Sequence, residues 1–301
     1  MRAQENNTGI SMAGAPLLSP ETVLVGLAGQ GIDLSRTPAM HEFEGAHFGL
    51  RYVYRLLNTD RMGMPPPDLP EIIRAAEIAG FSGLNITYPF KRQAIDLLDG
   101  LSDMAHEIGA VNTIVLKDGK RYGDNTDCTG FKDSFRQNMK NVALDNVLVI
   151  GAGGAIAQAL LDNEVKRLCI HDIDRKSAAA LVQRLVEQMG EDRVELVNDI
   201  QAAAGAGNGI INATPVSMEK LPGTPIPVEL LQPDHWVIDI IYFPMETEFL
   251  RAARERGCHA LSGAGMAIHQ SVRAFALFTG LEPDPRRMKE TFEAFEKESI
   301  L

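Results

Sequence analysis

The sequence predicts an α/β protein whose second half is a doubly wound parallel sheet covered by helices on both faces. Short apolar runs alternate with amphipathic stretches along most of the chain. The alternation restarts after about residue 125, as if a second unit begins there. One apolar run, Asn146–Ile150, feeds straight into Gly151-Ala152-Gly153-Gly154 and then a helix-forming segment. The length of 301 residues fits two domains, although one large domain is allowed.

The elements follow in order. Residues 1–20 are small and polar and read as a loose tail. Val23–Leu27 is an apolar run and a buried strand. A helix spans Asp68–Gly80: it opens on Asp68, carries Leu69, Ile72, Ile73 and Ile78, and ends at glycine. Gly83–Ile86 is a strand, with a helix expected after Pro89, and Val111–Leu116 is a strand closed by the turn Asp118-Gly119. In the second half Asn146–Ile150, Arg167–His171, Val194–Val197, Gly209–Asn212 and Trp236–Ile241 read as strands. Helices fall at Ala155–Leu161, Ser177–Met189, Glu246–Arg256, 264–279 and 284–299. Phe275, Phe278, Phe292 and Phe295 in the last two read as packing residues rather than a cofactor box. No repeat of 20–50 residues is evident.

Composition excludes several classes. Lys and Arg number 29 against 40 Asp and Glu, a net charge of −11, so nothing draws the chain toward nucleic acid or an anionic membrane. The 3 cysteines lack C-x-x-C spacing, which argues against a disulfide framework or structural zinc and fits a reducing cytoplasm. The seven histidines show no metal-binding spacing, so no metal is expected. No apolar run reaches membrane-span length, and the start lacks a signal-peptide core.

Gly151-Ala152-Gly153-Gly154-Ala155 stands between strand and helix, the setting a dinucleotide fingerprint requires. Gly151 permits the tight turn, Gly153 lets backbone approach a pyrophosphate, and the helix start offers free N–H groups. The third fingerprint position is Ile156 instead of Gly or Ala. Asp172 closes the next strand, 21 residues on from Gly151, where a carboxylate accepts from the ribose hydroxyls of NAD and repels a 2′-phosphate. Arg175 nearby keeps NADP open; NAD is favoured.

Two more segments gather polar residues at strand ends: Asn85-Ile86-Thr87-Tyr88-Pro89-Phe90-Lys91 and Gly123-Asp124-Asn125-Thr126-Asp127. Hydride exchange needs a proton donor and acceptor beside the reacting carbon. A lysine oriented by a carboxylate serves that need. Taken alone, Lys91 also reads as a solvated charge and Asp127 as a helix N-cap.

Together these motifs resemble the shikimate/quinate dehydrogenase family. The resemblance runs from about residue 23 to 280, in family order. It adds Leu34-Ser35-Arg36-Thr37-Pro38, Gly109-Ala110-Val111-Asn112-Thr113, Asn212-Ala213-Thr214-Pro215, Tyr242-Phe243-Pro244-Met245-Glu246-Thr247 and Gly265-Met266 with Gln270. It implies two α/β domains around a cleft: a substrate-binding domain at 21–128 plus 264–301, and a Rossmann domain at 129–263. It implies reversible hydride transfer between shikimate or quinate and the 3-dehydro acid, with Lys91 and Asp127 as the catalytic pair. Ser35 and Thr37 would hold the substrate carboxylate. Thr87, Asn112, Asp127 and Gln270 would bind ring hydroxyls, with Tyr242 beside them. The cofactor would lie against Gly151, Ala152, Gly153, Gly154, Ala155, Asp172, Arg175, Asn212, Ala213, Thr214 and Gly263. A cytoplasmic monomer or homodimer is expected.

Three departures bear on specificity. Thr37 replaces a serine common in shikimate-specific members, which points toward members that also accept quinate. His171-Asp172-Ile173-Asp174 replaces the Asn-Arg-Thr run of NADP-specific members, again favouring NAD. Ser217 stands where the family usually has glycine. Alternative readings are a dehydrogenase for a related acid such as an aminoshikimate, and a non-catalytic cofactor-binding regulator.

Overall fold

The computed structural model describes residues 21–298, with side chains as far as residue 294. The expected tail at 1–20, the end of the last helix and the side chain of Phe295 lie outside the described residues. The chain builds two six-stranded sheets in succession.

The first sheet uses β1 (Thr22–Gly29), β2 (Arg51–Asn58), β3 (Gly83–Ile86), β4 (Gly100–Leu101), β5 (Thr113–Lys117) and β6 (Lys120–Asp124), in the order β2-β1-β3-β5-β6-β4. It is mixed: β1 runs parallel to β2 and β3, while β5 runs antiparallel to β3 and β6. Asp118 (φ 54°) and Gly119 (φ 72°) turn β5 into β6; both adopt the left-handed conformation that matches hairpin twist. Helices α1 (Thr37–His47), α2 (Leu69–Ile78) and α3 (Asp103–Ile108) belong to this unit.

Some elements depart from expectation. α2 starts on a reciprocal capping box between Asp68 and Glu71 and buries Leu69, Ile72, Ile73 and Ala76. Ile78, read as part of that stripe, is 72% exposed. The helix expected after Pro89 does not form: turns lead only to a short 3-10 helix at Ile95–Leu97. The Lys91 carbonyl accepts from Val111 N–H at 2.9 Å, which ties this segment to the strand beside it rather than to a helical ladder. α1 and β2 arise where the sequence shows no clear period. The inward face of α1 includes His41 and Glu44, fully buried, so polar residues interrupt its apolar stripe.

The second sheet is wholly parallel: β7 (Asn146–Ile150), β8 (Arg167–His171), β9 (Val194–Leu196), β10 (Gly209–Asn212), β11 (Trp236–Asp239) and β12 (His259–Ser262), ordered β12-β11-β10-β7-β8-β9. The chain works outward from β7 to β9, then returns to lay β10 on its other side. That reversal opens a crevice at the carboxyl ends of β7 and β10, where such sheets bind ligands. Its helices are α4 (Thr126–Asn138), α5 (Gly154–Asp162), α6 (Arg175–Met189), α7 (Ile200–Ala206) and α8 (Glu248–Glu255). The chain ends in α9 (Ala264–Thr279) and α10 (Pro285–Glu298).

α4 and α9 pack along the join between the sheets. A Cβ on Gly130 would come within 2.7 Å of Gln270 N and 2.8 Å of Met266 O, so glycine lets these helices touch backbone to backbone. α10 is fastened to α1: Arg287 donates to both oxygens of buried Glu44, at 2.9 and 2.7 Å. Among the described residues no helix is long and apolar enough to cross a membrane.

Candidate active site

Strand ends and helix starts place the polar segments together. Phe90 is buried in the core of the first unit and anchors the loop after β3. The next residue, Lys91, then projects toward α4. Asn125 is the N-cap of α4, its side chain accepting from Cys128 N–H at 3.2 Å and donating to the Ala110 carbonyl at 2.9 Å. The capping position therefore belongs to Asn125, and Asp127 stands in the first turn with its side chain free for another task. Lys91 Nζ donates to Asp127 Oδ2 at 2.6 Å. The lysine side chain is 38% exposed and the aspartate 14%, so the pair is open to water on the lysine side.

Behind the pair lies a buried polar chain. Asn112 Nδ2 donates to Thr126 Oγ1 at 2.9 Å, and Asn112 Oδ1 accepts from Thr126 N–H at 2.7 Å. Thr113 bonds to Asn112 and to Asn85, and Asn85 accepts from the Tyr54 hydroxyl at 2.7 Å. Thr126 reaches Gln270 at 3.4 Å, and Gln270 is steadied by the Ala267 carbonyl and Ser271. Buried polar groups paired this fully hold one geometry. Thr87 ends β3, its methyl packed over Gly29, where a Cβ would lie 2.3 Å away.

Ser35 and Thr37 sit at the start of α1, with Ser35 Oγ accepting from Thr37 N–H at 3.4 Å. Between them is Arg36, to which the sequence reading assigned no role. It is buried, donates to the Phe292 carbonyl at 3.0 Å, and lies 4.8 Å from the Phe292 ring. Its guanidinium also lies 5.9 Å from the Phe243 ring, and a fixed cation of this kind favours an anion nearby. Tyr242 packs on the same Phe292 ring. Burial first, then the negative charge of Asp127, raises its phenol above the usual range, against the opposing pull of Arg36. Tyr242 is thus a neutral hydroxyl at neutral pH.

The glycine loop lies at the crevice. Gly151 has φ 103°, and a Cβ there would strike the Ala213 carbonyl at 2.7 Å; one on Gly153 would meet Ala213 Cβ at 3.0 Å. These two positions admit only glycine comfortably, and they bring the loop against Asn212-Ala213-Thr214. Asn212 is fully buried and spends its amide on Val216, Asp239 and Thr214, so it shapes this wall from within. Its partner Asp239, also missed from sequence, accepts from Asn212, Ile241 and Thr247; burial nonetheless pushes its carboxyl above the usual range. Gly263 begins α9, with the Ile240 carbonyl so close that a Cβ would lie 2.0 Å from it.

Asp172 directly follows β8. Its Oδ2 accepts from Ala152 N–H at 2.6 Å and its Oδ1 from Asp174 N–H at 2.8 Å. Each oxygen keeps a lone pair for a ribose hydroxyl. Arg175 is turned away and donates to the Val197 carbonyl at 2.9 Å. The residues fit a dinucleotide: a strand–glycine loop–helix cradle, and a carboxylate at the end of the adjacent strand. Among the described residues no cluster of His, Cys, Asp and Glu could hold a metal ion.

The parallel sheet, its strand order and the glycine loop define a Rossmann-type unit beside a second α/β unit. Comparison with known proteins narrows this further. Residues 27–114 match the family model described as the shikimate dehydrogenase substrate binding domain, and residues 263–291 match the shikimate 5′-dehydrogenase C-terminal domain. A quinate/shikimate dehydrogenase (NAD+) of Corynebacterium glutamicum (strain R) is 46% identical over 278 residues, covering 90% of this chain and 98% of that protein. A shikimate dehydrogenase (NADP+) of Streptomyces avermitilis is 44% identical, covering 90% and 95%. The solved structure of quinate dehydrogenase from Corynebacterium glutamicum in complex with NAD superposes with a TM-score of 0.86 at 46% identity, covering 91% of this chain and 99% of that one. The chain belongs to the shikimate dehydrogenase family.

Proposed function

We propose that this protein is an NAD-dependent quinate/shikimate dehydrogenase, interconverting a cyclic polyhydroxy acid and its 3-dehydro form. The observation that carries the reading is the Lys91–Asp127 pair, joined at 2.6 Å and open to water on one side. A bound dinucleotide supplies the hydride acceptor at nicotinamide carbon 4. The chain's own residues handle the rest. In oxidation Lys91 first releases one proton to water, which leaves a lone pair on Nζ; it then takes the hydroxyl proton as the carbon–hydrogen electron pair departs, and in the reductive direction it gives the proton back. Asp127 holds Nζ in position and shares the proton. With its exposed side the lysine then exchanges with water.

Ser35 and Thr37, with the charge of Arg36 between them in sequence, receive the substrate carboxylate. Thr87, Gln270 and the one N–H of Asn112 not given to Thr126 receive ring hydroxyls, and Tyr242 offers a neutral hydroxyl beside them. A site of paired polar groups rejects analogues that lack a hydroxyl, because its own groups would be left unpaired. Asp172 supports NAD over NADP: a carboxylate bonded to two backbone amides disfavours a 2′-phosphate, and Arg175 is engaged elsewhere. The NAD-dependent relatives agree with this, and the NADP-dependent ones show that the family uses both. We place the passage between the domains at residues 129 and 264 and the protein in the cytoplasm, as a monomer or homodimer; its three free, buried cysteines suit a reducing compartment.

Lys91→Ala tests the reading. It should lower kcat by roughly 10²–10⁴-fold, the range of general acid–base catalysis, while NADH affinity stays within about twofold of the wild type. Retained turnover would remove Lys91 from the chemistry.

A further inference from the structure

Arg184 lies midway along α6 and reaches toward the start of α5. Its Nη2 stands 2.9 Å from where a Cβ on Gly154 would be, and its Nη1 is 3.6 Å from the equivalent point on Gly109. Only glycine at 154 leaves the guanidinium this room. Arg184 Nε is buried without a hydrogen-bond partner, and no acceptor pairs with the rest of the guanidinium among the described residues. The neighbouring charge is another cation, Arg92, on the loop of the first unit directly after Lys91. Burial and that like charge together lower the hold of Arg184 on its proton.

An unpaired, desolvated guanidinium facing a second cation is unfavourable in the free protein. The carboxyl end of α3 at Gly109 offsets part of that charge, while α5 starts after Gly153, which has no side chain to cap its N–H groups, so that helix end adds positive potential. α6 meets the first unit here too, with Gln188 donating to the Glu107 carbonyl at 3.2 Å. Arg184 thus lies against the start of α5, with Arg92 of the first unit near enough to act on its charge.

We propose that Arg184 and Arg92 form a two-armed anion clamp for the diphosphate of the bound dinucleotide, one arm from each side of the cleft. The diphosphate neutralises both cations, and the clamp draws the two units together over the cofactor. This rests on the dinucleotide reading above.

The test uses the full-length protein and four probes: NADH, ADP, adenosine and inorganic pyrophosphate, with affinities measured by calorimetry. Charge-assisted bonds to phosphate of ordinary strength predict that Arg184→Leu weakens NADH and ADP by about tenfold or more. Adenosine affinity should be unchanged. Arg184→Lys should recover part of the loss, and Arg92→Ala should weaken the same two probes. Arg184→Leu should melt no lower than the wild type, because it removes an uncompensated charge, whereas a merely structural arginine would lower the melting temperature. NADH and ADP affinities within twofold of wild type in Arg184→Leu would overturn the clamp, as would an equal loss for adenosine. Arg184-dependent binding of pyrophosphate with Arg184-independent binding of NADH would make this a site for free anions and overturn the assignment to the cofactor. Wild-type protein that binds no NADH would overturn the dinucleotide reading itself, and the clamp with it.

Discussion

Ser217 holds a left-handed backbone (φ 84°), a conformation that favours glycine. The cost to a residue with a Cβ is about 1 kcal/mol or more. The side chain offsets it: Ser217 Oγ donates to the Gly223 carbonyl at 3.1 Å, while its N–H donates to the Leu221 carbonyl. Ser217→Ala keeps the strain and loses the hydroxyl's bond, and should destabilise by about 1–2 kcal/mol. Ser217→Gly loses the same bond but relieves the strain, and should cost less. Denaturant unfolding of both variants checks the order; an alanine variant as stable as the wild type would show that the hydroxyl contributes nothing, and one as stable as the glycine variant that the left-handed backbone costs nothing. At this scale the motifs named most of the polar groups that converge, but not how they divide their work. Asn212 stood in a matching segment yet is consumed in shaping the wall. Arg36 stood inside another, and a charge between two hydroxyl residues gives no sign in sequence that it is buried under aromatic rings. Arg184 and Asp239 had no local signal, since their significance comes from partners on other elements.

Elements with an apolar period or a glycine boundary were legible: β7, β8 and β10 fall where the sequence puts them, and α2 carries its capping box. α1 was not, because burial there runs through His41 and Glu44. His41 Nδ1 is 2.9 Å from the Tyr52 hydroxyl, while its Nε2 is buried with no partner. Burial depresses its pKa from 6.5 to about 3. The sign follows directly. A neutral buried histidine contributes stability above its unfolded pKa, and that contribution is lost progressively as pH falls from 6.5 toward 3. The loss approaches about 1.4 kcal/mol per pH unit within that window. His41→Asn should therefore be less stable than wild type at neutral pH yet lose less on acidification. Parallel pH dependences for the two proteins would remove His41 from the acid response. α1 also presents Ser35 and Thr37 at its start, so its anchoring to α10 by Glu44 and Arg287 fixes the corner proposed for the substrate carboxylate.

At the scale of the molecule, the chain finishes one sheet, crosses through α4, builds the second and returns through α9. Asp127 and Gln270 ride on those two helices, which meet at Gly130. The join that holds the units together thus carries two of the groups proposed for catalysis and substrate binding. The doubly wound second half was legible because fully buried parallel strands read as continuous apolar runs. The mixed order of the first sheet was not, because short strands such as β4 carry too few residues to show a period.

The most direct test is a two-by-two set of initial rates, shikimate or quinate against NAD or NADP, followed by the absorbance of the reduced nicotinamide. Turnover with NAD in preference to NADP, on quinate as well as shikimate, is the expected result, through Asp172 and Thr37. Preference for NADP would contradict the role given to Asp172. No turnover in any combination, from folded protein that binds NADH, would contradict the quinate/shikimate assignment.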